Sequence, residues 1–429
     1  MRQTEAQERD AVAATQAALL DQLDRYLPDP DYRAYFRWAL SEQNPQRALF
    51  TRIIALTQLG NLTAAMLADL PGPDDWPTLV RHAIPVNVYQ VFEVVSDNLG
   101  IGLALVAPDE PSETRDLLLH FNAVAAADLR TPTKRPAVEL LAPLRARSER
   151  ISAFTQSLRP DEHARIVDAY ADSTGHASAR LERSVWSGLV ANLESGRDVL
   201  SAIAGTSAEP QVRAQTIERY RAVDRTLRES RLGRDDLVDI CRNAILVTPT
   251  LGYFAAVFGE LSHLDSGYLA AVADGSLFAA FDTAAVLVRL LNDIGTPLLQ
   301  MSRDQRHVLL SELLLRYPAD TVITVLAKAI EEPALNRFRK DLAHGEFNVC
   351  LHPLLRVDDL DEGLTELTDG LDHFAELYAR RSTLLDQQLA ELGQRLHDGR
   401  ILEVTRRFVD FHRRLYTHRY DTLAGDYAI

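Results

Sequence analysis

Only two cysteines, Cys241 and Cys350, occur in 429 residues. They are too few for a disulfide framework and lack metal-site spacing. Both stand beside apolar residues, so they are expected as reduced core residues. Excess positive charge is also missing, with 46 Lys and Arg against 61 Asp and Glu and a formal charge of −15. Nucleic-acid binding depends on neutralising phosphates, so nucleic acid is not an expected partner. No uncharged apolar run reaches the roughly 18 residues of a membrane span, because Asp282 and Arg289 cross the greasiest region. The opening MRQTEAQERDAVAATQ is polar and carries both signs of charge, unlike a secretion leader, and the expected location is cytoplasmic. Alternating strand-like runs are few. A glycine-rich phosphate loop, H-E-x-x-H, G-x-S-x-G and a Rossmann fingerprint are all missing, which withdraws support from most common enzyme classes.

The residues that are present point to helices. Apolar residues make up 46% and charged ones 25%, the balance of a folded globular chain. Ala, Leu, Glu, Arg and Gln recur at helical spacing, so the expected class is all-α, a large helical bundle. Helices are expected over roughly 11–27, 30–42, 46–69 and 76–107, the last with Pro85 as an internal break. Further ones are expected over 114–131, 137–158, 303–315, 318–332 and 357–397. Between 235 and 300 the chain turns markedly apolar, and two long buried helices are expected on either side of SHLDSGY. Leu385, Leu389, Leu392 and Leu396, then Ile401, Val404, Phe408, Phe411 and Leu415, keep one apolar face each, as a packed pair does. Residues 1–345 form the expected main domain. Residues 346–429 are its C-terminal helices, packed on the same domain, with a boundary where NVCLHPLL departs from the helical pattern. The sequence leaves room for a homodimer.

Polar residues inside apolar helices are the place to look for chemistry. In LVRLLNDIGTPLLQ, Asn292, Thr296 and Gln300 are spaced by four and four, so on a continuous helix they stack on one face. Three side-chain oxygens in such a row suit a hard cation that bridges to phosphate. The other reading is that Gly295 and Pro297 end the helix and Thr296 caps the next segment.

This segment resembles the second metal-binding motif of class I terpenoid synthases, Asn-Asp-x-x-Ser/Thr-x-x-x-Glu. Asn292, Asp293 and Thr296 match it, and Gln300 stands where the family has Glu. The family also has a diphosphate-sensing arginine on an earlier helix; Arg242 lies fifty residues before Asn292, with an ion pair to Asp239 or Asp236 as its plainer role. An Arg-Tyr pair near the C-terminus is matched by Arg419 and Tyr420. For the family's aspartate-rich motif the candidate is Asp97, with Glu93 one turn before; Asp168 and Asp172 are the alternative.

The resemblance implies a terpenoid-synthase-like bundle with extra helices. It implies Mg2+ held by Asp97, Asn292, Thr296 and Gln300, with Arg242, Arg419 and Tyr420 around the diphosphate. The implied activity is ionisation and cyclisation or rearrangement of a linear isoprenyl diphosphate, releasing diphosphate. Tyr89, Phe92, Tyr253, Phe254, Phe258 and Phe281 would line the cavity. Two other readings stay open. Glu260 with His263 and Asp341 with His344 have the E-x-x-H-type spacing of a helical di-iron or haem-oxygenase-like oxygenase. A non-catalytic helical interaction protein fits the composition equally.

Overall fold

Helix starts in this chain are set by short side chains that accept from the free N–H groups of the first turn. Asp29 accepts from the N–H of Asp31 and Tyr32, and Pro30 supplies the first helical residue of Pro30–Ala39. Asp75 accepts from Thr78 at the start of Trp76–Leu99. Ser302 and Gln305 cap each other reciprocally at the start of Arg303–Arg316, and Asp359 starts the 34-residue helix Leu360–Gly393. The structure, a computed structural model, describes residues 2–107, 110–152, 159–175, 181, 184–229, 232–329 and 332–417. Among these every regular element is helical, so the architecture is all-α.

The chain divides into two compact units, Met1–Ile101 with Pro111–Tyr220, and Gly102–Glu110 with Arg221–Ile429. Residues on both sides of the expected boundary at 345 therefore lie in the second unit.

In the N-terminal unit, Trp76–Leu99 is the central helix. It packs against Val185–Ala202, Arg2–Tyr26 and Leu56–Leu67. Val185–Ala202 comes close because Gly188 and Gly196 present no side chain. A Cβ on Gly188 would sit 2.7 Å from Val95, and one on Gly196 3.2 Å from the Tyr89 ring. The expected break at Pro85 does not occur, and one helix runs through it. An aromatic core gathers Tyr26, Tyr35, Phe36, Phe50, Phe92 and Tyr170 from five helices.

In the second unit the central helix is Ser276–Ile294. Leu360–Gly393, Val247–Ala256, Arg234–Asn243 and Arg400–Leu415 pack around it. The expected pair of long helices over 235–300 is in fact a series of shorter pieces, including a π-helical turn at Val257–Leu261. Gly275 and Gly295, both with positive φ, set its later breaks. The apolar faces at 385–396 and 401–415 are buried as expected. No single helix among the described residues is long and apolar enough to cross a membrane.

Candidate functional site

The end of Ser276–Ile294 is where the sequence placed its cation site. Gly295 takes φ 90° and ψ 151° there, a conformation open to glycine, and ends the helix. A new five-residue helix, Thr296–Gln300, starts beyond it with Pro297 in its first turn. The expected row on one face is therefore broken. Thr296 is turned inward, its hydroxyl donating to the Arg413 carbonyl at 2.6 Å. Gln300 is exposed. The Asn292 side-chain oxygen accepts from Arg337 Nη2 at 2.8 Å, and the Asn292 backbone carbonyl accepts from Arg337 Nε at 2.5 Å.

Around Asn292 lies a buried cluster of charges. Arg289 pairs with Asp293 one turn on, at 2.7 Å. Asp293 is fully buried and also accepts from the Val349 N–H at 2.9 Å. Asn348 donates to the Asp293 carbonyl and to the Asp341 carboxylate. Lys340 bridges Asp341 and Glu346, and the Arg337 guanidinium lies over the Tyr416 ring at 4.7 Å. Burial pushes the Asp293 carboxyl up, against the pull of Arg289. Three carboxylates thus face three cations. The Asn292 amide oxygen is held by a guanidinium, and the helix ends before Thr296, so the three side chains do not form one continuous row.

Arg242 and Asp97, expected at the same site, each hold a partner within their own unit. Arg242 is paired with Asp239 at 3.3 Å and Asp282 at 3.0 Å. Asp282 lies ten residues before Asn292 on the same helix, about 15 Å along its axis at 1.5 Å per residue. Asp97 belongs to the N-terminal unit. Arg419 and Tyr420 lie outside the described residues. Asp168, Asp172 and His263 are exposed, while Asp341 is part of the charge cluster. No group of three or more His, Cys, Asp or Glu placed to hold a metal occurs among the described residues.

Two features of the N-terminal unit lie on opposite faces of Trp76–Leu99. On one face, Glu93 is buried and ion-paired with Arg219. It accepts from Asn192 and from Ser96 at 3.0 Å. Tyr220 donates to Asn192, and the Tyr89 and Tyr220 hydroxyls meet at 3.0 Å. Arg219 reaches out to Asp97 at 2.9 Å, yet its Nε and Nη1 are buried without a partner. Burial pushes the Glu93 carboxyl up to about 7, against the downward pull of Arg219.

The other face of that helix borders a cavity of about 70 Å3. Its walls are rings from Tyr32, Tyr35, Phe36, Phe50 and Phe92, completed by aliphatic side chains such as Val91, Val94 and Val95. Phe36 meets Phe50 edge-on at 5.1 Å, and Tyr35 meets Phe50 edge-on at 5.8 Å. Such geometry is the favoured one for ring quadrupoles. The Tyr32 hydroxyl is satisfied by Ser184. The Tyr35 hydroxyl is buried with no hydrogen-bond partner.

Of the aromatic residues expected to line an isoprenyl diphosphate cavity, Phe92 borders this small apolar space, and Tyr89 belongs to the Glu93 cluster. Tyr253, Phe254, Phe258 and Phe281 are core of the second unit. Tyr35 was missed, although the run DYRAYFRWAL carries an aromatic at each helical step inward. Arg337 was missed as well, since nothing in NRFRKDLAH marks which arginine turns in.

A larger depression of about 630 Å3 beside the start of Leu360–Gly393 is open and acidic, lined by Asp361, Glu362 and Glu366. Its Arg234 is taken by Glu366 at 2.8 Å, so it offers no free cation to an anion.

No protein-family model, no curated protein and no solved structure matches this chain.

Proposed function

We propose that the N-terminal unit is a binding unit for a small apolar molecule, held in the aromatic cavity between Pro30–Ala39, Arg47–Ile53 and Trp76–Leu99. The observation that carries this reading is the cavity itself. Ordinary cores are packed with few voids larger than a water molecule, whereas this space of about 70 Å3 is walled by rings and branched aliphatic side chains. Apolar cavities stay dry and take up apolar guests. An apolar space with a few polar groups is also the usual form of a ligand site.

Propane serves as a first probe. A ligand that binds only the folded state raises the unfolding temperature in proportion to its occupancy. Propane under pressure is expected to raise it in the native chain, and Val94→Phe, which fills the space, is expected to remove the effect while helicity stays intact. A rise that survives Val94→Phe contradicts the assignment to this cavity.

A second reading is the isoprenyl diphosphate one, with a class I terpenoid-synthase-type fold and Mg2+ at Asn292. It is favoured by the all-helical architecture and by the pattern Asn292–Asp293–x–x–Thr296 at the end of a buried helix. It requires Arg337 to release the Asn292 amide. Mg2+-dependent diphosphate release from a linear isoprenyl diphosphate, abolished by Asn292→Ala with helicity unchanged, is the expected result. Release that persists in Asn292→Ala counts against it.

A further inference from the structure

The chemistry of the cavity wall narrows the ligand. None of the described residues that line it is Asp, Glu, Lys or Arg. His163, at its rim, is held uncharged at neutral pH, because burial pulls its imidazole down to about 4. An ion entering this space would meet no countercharge, and burying an unpaired charge is strongly unfavourable. The guest is therefore neutral.

Size sets the second limit. A cavity of about 150 Å3 is enough for benzene, and this one is about 70 Å3. It suits a guest of a few carbon atoms, or the branched end of a longer one.

The third limit comes from Tyr35. The residue is 1% exposed and lines the cavity, and its hydroxyl has no partner. Tyr32 stacks against it at 6.1 Å, but the Tyr32 hydroxyl is already engaged with Ser184. Buried tyrosine hydroxyls nearly always find a partner. The missing partner of Tyr35 is an acceptor that the guest would bring.

Resting on the proposed binding role of this cavity, we infer that the ligand is a small neutral molecule bearing one ether, carbonyl or hydroxyl oxygen, which accepts a hydrogen bond from the Tyr35 hydroxyl while the aromatic walls enclose its carbon skeleton. The Tyr35 hydroxyl offsets the cost of taking that oxygen out of water, which no other unpartnered hydroxyl among the described lining residues does.

Dimethyl ether and propane form the test pair, being nearly identical in shape and differing by one ether oxygen. Both are titrated into the full chain and followed by methyl NMR at Ile53, Ile54, Val91 and Val95. Burying the ether oxygen costs its hydration in any apolar cavity, so the readout is the ratio of the two affinities in the native chain against the same ratio in Tyr35→Phe. A single neutral hydrogen bond is worth about fivefold in affinity, so the ratio of dimethyl ether to propane affinity is expected to fall about fivefold in Tyr35→Phe, with propane binding retained. A ratio unchanged by Tyr35→Phe overturns the role of Tyr35 and leaves the cavity reading standing. Acetate binding at the same methyls overturns the neutrality of the guest. If neither probe moves these signals, the cavity reading fails and this inference with it.

Discussion

Each unit buries a polar cluster against its central helix, and the two clusters are built differently. In the second unit, Asp293, Asp341 and Glu346 are set against Arg289, Arg337 and Lys340, with Asn292 and Asn348 tying the backbone in. In the N-terminal unit, Glu93 and Arg219 form one buried pair with Asn192, Tyr89 and Tyr220, and Arg219 keeps two donors without partners. On the far side of the same helix, Tyr35 keeps its hydroxyl free beside a cavity. A balanced cluster fixes the relative positions of the elements that supply it. Groups left open beside a space are where a ligand gains something. That contrast puts the structural work of the second unit at Asp293 and the binding work of the first at Tyr35.

The contrast can be broken by substitution. Asp293→Ala leaves Arg289 buried with its main partner gone, and losing one member of a buried pair costs about 3–5 kcal/mol. Chemical denaturation is expected to show a loss of that size. A loss under about 1 kcal/mol, as for an exposed pair, removes the structural role assigned to the cluster.

Glu93 gives a prediction in pH. Its folded-state carboxyl is pushed up to about 7 by burial, above its ordinary 4.5, so the folded chain holds a proton there that the unfolded chain has lost. Its contribution is full below pH ~4.5 and declines as pH rises through about 7. Glu93→Gln cannot titrate, and the difference between the two stability profiles is expected to grow across that window. A difference that is flat from about pH 4 to about pH 8, a window that brackets both pKa values, contradicts the burial of this carboxyl beside Arg219.

The smallest effect is at Tyr35. Removing a hydroxyl that has no partner is expected to leave stability unchanged or raise it by about 1 kcal/mol in the absence of ligand. A clear loss in Tyr35→Phe shows that the hydroxyl is already satisfied, and the selectivity argument then has no basis.

Helix content and core faces were legible because they depend on local spacing. Leu385 to Leu396 and Ile401 to Leu415 are buried as their periodicity requires. The row at Asn292 failed for a reason also written locally. Gly295 with Pro297 breaks the helix, and a four-residue spacing means one face only while the helix continues. The partners of these residues were not legible. Arg337 meets Asn292 and Arg219 meets Glu93 from distant stretches of chain, and no spacing rule tells which arginine turns inward. A void is harder still. It appears only when five aromatic and several branched side chains are packed together and fail to fill the space between them.

The most direct measurement is methyl NMR of the full chain under xenon pressure, since xenon occupies apolar cavities without needing a polar partner. The signals of Ile53, Ile54, Val91, Val94 and Val95 around the cavity are expected to shift and saturate, while those of Val286 and Leu290 in the core of the second unit stay in place. Absence of saturable shifts at the first set, or equal shifts at both, contradicts a ligand cavity in the N-terminal unit.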